Sequence, residues 1–352
     1  MKTIIHFICA PDPRLGYGVC ALNFKKELES MLPNNLFEII VSDPRDKERF
    51  RKVCEKFNEN INNFNFINIH LTHGLDTKLI QANIPGHKVL FTLFETEKLP
   101  LGMKEVVSKY DLLLTASEWG ANILRSQLPN KKVEVTPLGV DPITFHTWDN
   151  NFRNKEKSKF TFLAVGKYEA RKSYQEIIEA FELSFSQSSE NKLLLRLDNL
   201  FISDTYEQAD KLIKPDRRHQ ISIVKSNPPG SFLKVEVMAQ LYRNADCFLF
   251  PSKGEGWGLP LIEAISCGTP YIATNYSGQT EYLNFCHQSH SDVKFTNEVI
   301  QDKFFLNFNK FEDGEMITWA KPDVQDLANK MTLICKNWHS IKSQALSNAE
   351  II

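Results

Sequence analysis

Short apolar runs alternate with amphipathic stretches along the whole chain. Strands are predicted over residues 3–8, 37–41, 65–71, 88–94, 111–116 and 132–137, with helical periodicity between them at 19–32 and 120–128. The alternation restarts with a strand at 160–165, a helix at 174–186 and a strand at 192–198. Further strands are predicted at 220–225, 247–251 and 270–274. Strand and helix in regular succession predict an α/β protein with parallel sheets. A polar, charged stretch from Trp148 to Ser158 separates the two series and reads as a linker. The expected division is therefore an N-terminal domain over 1–150, a second domain over 151–335 and a helical tail over 336–352. Two such units imply a cleft between them, a common place for a ligand. Residues 284–302 lack periodicity and are expected to form a surface insertion. No internal repeat or low-complexity stretch is evident.

The length of 352 residues agrees with two domains, since single cores stop growing below that size. With 42 basic and 43 acidic residues the net charge is −1, so no global field favours nucleic acid or an anionic membrane. Seven cysteines are scattered, odd in number and free of C-x-x-C spacing, which argues against a zinc site or a disulfide framework and suits a reducing cytoplasm. The apolar start, residues 1–10, runs into Pro11-Asp12-Pro13 and reads as a buried first strand rather than a signal peptide. No stretch reaches the roughly 18 apolar residues of a membrane span. A cytoplasmic location is expected.

Four places carry candidate chemistry. Pro251 to Ala264 follows the apolar run Cys247–Phe250 and leads into a predicted helix from Leu259. Its glycines, Gly254, Gly256 and Gly258, keep the turn thin, and the helix start suits a phosphate or diphosphate. Glu255 and Glu263 flank that anion site. Carboxylates accept hydrogen bonds only, so they suit the hydroxyls of a sugar and a ribose attached to the phosphate. At the end of the 160–165 strand, Lys167, Arg171 and Lys172 read either as a clamp for a diphosphate or as a solvated charged loop. Gly16-Tyr17-Gly18 reads either as a close approach for a ligand or as a tight strand-to-helix turn; it fails the dinucleotide fingerprint, having Ala21 where a third glycine belongs. Glu95 and Glu97 read as acceptor-binding groups or a base, or equally as surface carboxylates. Ser117 is expected to cap the following helix, and His73 before Gly74 reads as structural.

Gly166-Lys167-x₄-Lys172 and Glu255-Gly256-Trp257-Gly258-Leu259-Pro260-x-x-Glu263 together resemble the two donor-site motifs of the family 4 retaining glycosyltransferases, which have the GT-B fold. Pro137-Leu138-Gly139-Val140-Asp141 with Phe145, Asp246, Pro251-Ser252 and Gly268-Thr269-Pro270 match as well. The resemblance implies two Rossmann-like domains facing across a cleft. It implies that Lys172 and Lys167 hold the donor diphosphate, with Arg171 close by, that Glu255 binds sugar hydroxyls, and that Glu263 binds the ribose. Gly256, Trp257, Gly258 and Leu259 would offer backbone contacts, and Gly16 and Gly18 would border the phosphate. The chain departs from the family at Lys167, often Arg, and at Ser173, often Gly. The family's frequent acceptor-side histidine is not evident, and Glu95 or Glu97 takes roughly its place.

The expected function is thus transfer of a sugar from a nucleotide-diphosphate sugar, with retention, to a glycan, a lipid-linked glycan, a protein or a modified nucleic acid. No cofactor is expected, and without an Asp-x-Asp motif no essential metal. A sugar-nucleotide epimerase and a catalytically silent sugar-nucleotide-binding protein on the same scaffold are the alternatives.

Overall fold

The computed structural model describes residues 1–12, 16–72, 84–148, 159–199, 202–226 and 233–352. Most of the expected linker (149–158) and His73-Gly74 lie outside them. The chain divides into two compact units, Met1–Leu138 with Gln301–Ile317, and Gly139–Ile300 with Thr318–Ile352.

The first unit contains β1 (Lys2–Ile8), α1 (Gly16–Met31), β2 (Phe37–Ser42), α2 (Lys47–Glu59), β3 (Phe64–Leu71), β4 (His87–Phe91), α3 (Leu101–Val107), β5 (Leu112–Thr115), α4 (Glu118–Gln127) and β6 (Val133–Val135). The strands form one parallel sheet in the order β2-β1-β3-β4-β5-β6. Five consecutive residues of β1, Ile4 to Ile8, are buried, as expected of a strand covered on both faces. Ser117 caps α4 as predicted, its hydroxyl accepting from the Gly120 N–H at 3.2 Å.

That sheet has a polar interior that the apolar pattern does not foretell. His6 Nδ1 lies 3.1 Å from Asn68 Oδ1 and its Nε2 lies 2.9 Å from the Ser42 hydroxyl. His70 Nδ1 lies 2.6 Å from the Tyr110 hydroxyl. Burial lowers the His6 pKa to about 4; burial, with the fields of His6 and Lys88, lowers that of His70 to about 3. Both rings are neutral at pH 7.

The second unit contains β7 (Thr161–Val165), α5 (Tyr174–Ser184), β8 (Lys192–Arg196), α6 (Thr205–Asp210), β9 (Ile221–Ile223), α7 (Val235–Asn244), β10 (Cys247–Phe250), α8 (Leu259–Ser266), β11 (Tyr271–Thr274), α9 (Thr280–Leu283) and β12 (Asp292–Val293). Its parallel sheet runs β12-β11-β10-β7-β8-β9. The chain builds outward from β7 through β8 and β9, then returns to lay β10 on the other side. A crevice opens at such a reversal, outside the carboxyl ends of the strands.

The remainder is β13 (Phe295–Val299), α10 (Lys303–Phe308), β14 (Thr318–Pro322), α11 (Val324–Lys336) and α12 (Trp338–Ile351). Residues 284–302 are therefore not an irregular insertion. They supply the edge strand β12, and β13 pairs antiparallel with β14 in a two-stranded ribbon. Its short strands alternate too little to register as a period. The segment joining the ribbon strands, Gln301–Ile317, belongs to the first unit, unlike the expected domain 151–335. Residues 139–148, expected in the first domain, belong to the second unit. So does the tail: Ile341 and Ala345 of α12 are buried, and Lys342 donates to the Gly268 carbonyl at 2.6 Å.

Candidate functional site

The crevice of the second sheet is lined from β7 and β10, the two strands at the reversal. After β7 comes a single 3₁₀ turn, Ala170–Lys172, which ends at Ser173 in the left-handed conformation (φ 57°). After β10 comes the turn from Pro251 to Gly258, which enters α8. Gly258 has φ 90°, and a Cβ there would stand 2.9 Å from the Tyr282 hydroxyl, so only glycine fits comfortably.

The two turns are joined by buried charge. Glu255 Oε1 meets Lys172 Nζ at 2.5 Å and accepts from Ser252 Oγ at 2.5 Å, while its Oε2 meets Arg171 Nη1 at 2.8 Å. Arg171 Nη1 also donates to the Gly254 carbonyl at 2.7 Å, and Nη2 to Glu169 Oε2 at 3.0 Å. Burial alone would push the Glu255 carboxyl up, but Arg171 and Lys172 outweigh it and hold the group below the ordinary carboxylate value. Burial pulls the Lys172 ammonium below its ordinary value against the opposing pull of Glu255. Lys172 also stands 4.7 Å from the Phe250 ring centroid, a cation–π contact. Gly166 makes room for its stem, since a Cβ there would press on Lys172 Cδ at 3.1 Å.

The glycine-rich turn is clamped from beneath. The Glu255 N–H donates to Ser277 Oγ, and the Gly278 N–H to the Glu255 carbonyl, both at 2.8 Å. Tyr282 donates to the carbonyls of Trp257 (3.1 Å) and Gly258 (3.0 Å), and its ring meets the buried Trp257 edge to face at 5.1 Å. Trp257 is thus an anchor of the turn. At the start of α8 the Leu259 N–H has no intrahelical acceptor, Pro260 has no N–H, and the Leu261 N–H is taken by the Gly258 carbonyl at 3.0 Å; the helix start carries the positive end of the dipole. Glu263, in the second turn of α8, accepts from the Tyr242 hydroxyl at 2.8 Å, and burial raises its carboxyl to about 7 although that hydrogen bond opposes the rise.

The structure thus brings Arg171, Lys172, Glu255, Gly256, Trp257, Gly258, Leu259 and Glu263 together on one sheet edge. Lys167 is more exposed, with Nζ 3.9 Å from Glu169 Oε1. Gly16 and Gly18 lie in the first unit, at the start of α1. A Cβ at Gly18 would stand 2.2 Å from the Asp12 carbonyl oxygen, so close packing of its own backbone accounts for that glycine. Between them Tyr17, which the sequence did not single out, accepts from the Leu93 N–H at 2.8 Å and donates to the Leu93 carbonyl at 3.1 Å. It pins the loop that carries Glu95, half-buried, and Glu97, exposed. Ser277, Tyr242 and Tyr282 were also missed. Their hydroxyls act through distant pairings that have no sequence spacing.

The family model described as glycosyl transferases group 1 matches residues 229–286. Over 163 residues, 45% of this chain, the sequence is 24% identical to the mannosylfructose-phosphate synthase of Agrobacterium fabrum. Over 222 residues, 60% of the chain, it is 26% identical to the capsular polysaccharide biosynthesis glycosyltransferase CapM of Staphylococcus aureus. Those matches span 36% and 53% of the two relatives' own lengths. Among solved structures, sucrose-phosphate synthase from Thermosynechococcus elongatus superposes over 99% of this chain and 94% of its own, with a TM-score of 0.68 at 16% identity.

The chain has the GT-B fold. The pneumococcal O-GlcNAc transferase GtfA shares it over 86% of this chain and 56% of its own, with a TM-score of 0.56 at 14% identity. In this GT-B chain the family-model match covers β10, the glycine-rich turn and α8, the segment with Glu255 and Glu263. Among the described residues no helix is long and apolar enough to cross a membrane.

Proposed function

We propose that this chain is a retaining glycosyltransferase of family 4 that moves a sugar from a nucleotide-diphosphate sugar to a hydroxyl-bearing acceptor. The observation that carries the reading is the buried Lys172–Glu255–Arg171 constellation beside the start of α8, at the strand reversal where α/β sheets bind ligands. The donor's diphosphate takes the Lys172 and Lys167 ammonium groups and the backbone N–H groups of the turn from Gly256 to Leu259, where α8 begins. Glu255 and Glu263 accept from hydroxyls of the sugar and of the ribose.

The bond from the anomeric carbon to the diphosphate oxygen breaks, and the acceptor oxygen bonds to that carbon on the same face. The diphosphate departs with the bonding electrons, and the acceptor's proton passes to the diphosphate's departing oxygen on that same face. Lys172 and Lys167 stabilise the charge growing on the leaving group, which lowers the barrier rather than merely tightening donor binding. Arg171 is largely taken up by Gly254, Glu255 and Glu169, which gives it the part of holding the turn. On the acceptor side we assign Glu95 ahead of Glu97, because Glu95 is half-buried and lies within the field of Tyr17.

Incubation with a panel of nucleotide sugars tests the reading, with slow donor hydrolysis as the signal and calorimetry of the matching nucleoside diphosphate beside it. Hydrolysis of one donor and binding of its nucleoside diphosphate are expected. A protein that hydrolyses none and binds no nucleoside diphosphate is not a glycosyltransferase of this kind.

A further inference from the structure

Lys253 lies between Ser252 and Glu255 in the turn, and no family motif assigns it a part. It is only 8% exposed, unusual for a lysine. Its Nζ meets Glu176 Oε1 of α5 at 2.7 Å and Glu298 Oε2 of β13 at 3.5 Å. Lys321 of β14 meets the other oxygen of Glu298 at 2.7 Å. The backbone of Lys253 is engaged as well. Its N–H donates to the Arg171 carbonyl at 2.8 Å, and its carbonyl accepts from the Ala320 N–H of β14 at 2.9 Å. One residue thus reaches the 3₁₀ turn, α5 and both strands of the ribbon.

A buried ammonium loses hydration, and an apolar chain of similar length would fill the same space without that cost. What the apolar chain lacks is direction, because two carboxylates from different elements fix where the ammonium goes. We propose that Lys253 is a positioning residue: it fixes the turn bearing Ser252 and Glu255 to α5 on one side and to the β13–β14 ribbon on the other. The ribbon is then a brace for the site. The consequence for sugar recognition rests on the donor-site reading above; the brace itself does not.

Amide hydrogen exchange reads the brace directly, whatever the ligand. In Lys253→Met the amides of residues 252–258 are expected to exchange about tenfold faster, with β8 and α11 unchanged, and Lys253→Arg to restore most of the protection. Glu298→Gln cuts only the ribbon arm and, at a partly exposed position, leaves the fold intact; a rise of a few-fold in the same amides is expected. It carries the test if Lys253→Met does not fold. Calorimetry then compares a nucleotide sugar with its nucleoside diphosphate. A displaced Glu255 lowers the preference for the sugar-bearing ligand, whereas general loosening lowers both affinities together. Unchanged exchange over 252–258 in Glu298→Gln and in any folded Lys253→Met overturns the brace. A wild-type protein that binds neither ligand overturns the donor-site reading, and the exchange result still decides the brace.

Discussion

The two parallel sheets reverse strand order in the same way, β1 beside β3 in one unit and β7 beside β10 in the other, yet they place polar groups differently. In the second unit the charges stand at the carboxyl edge, where Lys172, Arg171 and Glu255 are buried and mutually paired. In the first unit His6, Asn68, Ser42 and His70 are buried within the sheet, where they form neutral contacts with one another and with Tyr110. Its edge carboxylates Glu95 and Glu97 are half-buried and exposed. One architecture thus carries a charge constellation fixed before any ligand arrives, and a second edge whose charges stay in contact with water. The difference is consistent with one unit gripping an invariant diphosphate and the other receiving an acceptor.

Lys172→Ala should break the contrast most severely. On the proposed function it removes a cation from the leaving group, and it leaves Glu255 buried with Arg171 as its remaining ionic partner. Turnover of the donor identified in the panel is expected to fall about a hundredfold. Glu255→Gln is expected to lose at least tenfold. Glu97→Gln, at an exposed edge position, should stay within about twofold, on the scale of a solvated carboxylate. Steady-state rates compare all three, and equal losses at Lys172 and Glu97 would erase the difference between the edges.

The first unit should show its own weakness in acid. The folded pKa of His6 lies below the unfolded value, so its contribution is present above about pH 6.5 and is lost as pH falls through about 4. Between pH 7 and pH 5 the loss from His6 is about 2 kcal/mol. His70, lowered to about 3, acts in the same direction. Denaturant titrations at the two pH values measure the loss, and His6→Gln should remove most of its own share. Glu263 opposes the trend over the same range, so the variant decides: a His6→Gln protein with the same change from pH 7 to pH 5 as the wild type would mean that the His6 ring is not held neutral.

How much of this was legible in the sequence follows from the same division. Strands such as 3–8 and 247–251 were readable because buried parallel strands are continuous apolar runs. The charged edge of the second unit was readable because glycines and charges crowd two short segments, so that 166–172 and 255–263 mark themselves by spacing. The ribbon was not, since β13 is nearly all exposed and carries no apolar run, and its partner β14 follows only after a segment that packs with the first unit. Nor were Tyr17, Tyr242 and Lys253, whose parts depend on partners far along the chain. His6 and His70 sit at strand positions where the apolar pattern tolerates one polar residue without revealing its partner.

Glu263 offers a finer comparison, because it responds to pH in the opposite sense to the histidines. Its folded pKa is raised to about 7, so its contribution to stability is fully present below about pH 4.5 and is lost as pH rises through 7. Ribose hydroxyls donate best to the ionised carboxylate. Nucleoside diphosphate affinity is therefore expected to rise up to about tenfold from pH 6 to pH 8. Glu263→Gln corrects for titration of the phosphate itself. An identical pH profile in that variant would take Glu263 out of ribose binding.

A small effect on stability is expected at Ser173, where the charged edge is strained. Its φ of 57° is unfavourable for a residue with a side chain, and its hydroxyl is buried without a hydrogen-bond partner among the described residues. Glycine removes both penalties but adds freedom to the unfolded chain, which returns part of the gain. Ser173→Gly is expected to stabilise the protein by about 0.5–1 kcal/mol, read as a raised denaturation midpoint. If the strain serves only the fold, turnover stays at the wild-type level. If the conformation of Ser173 sets the direction of Lys172 beside it, turnover falls while stability rises. That opposite movement would show that rigidity at this edge, as well as charge, separates it from its counterpart in the first unit.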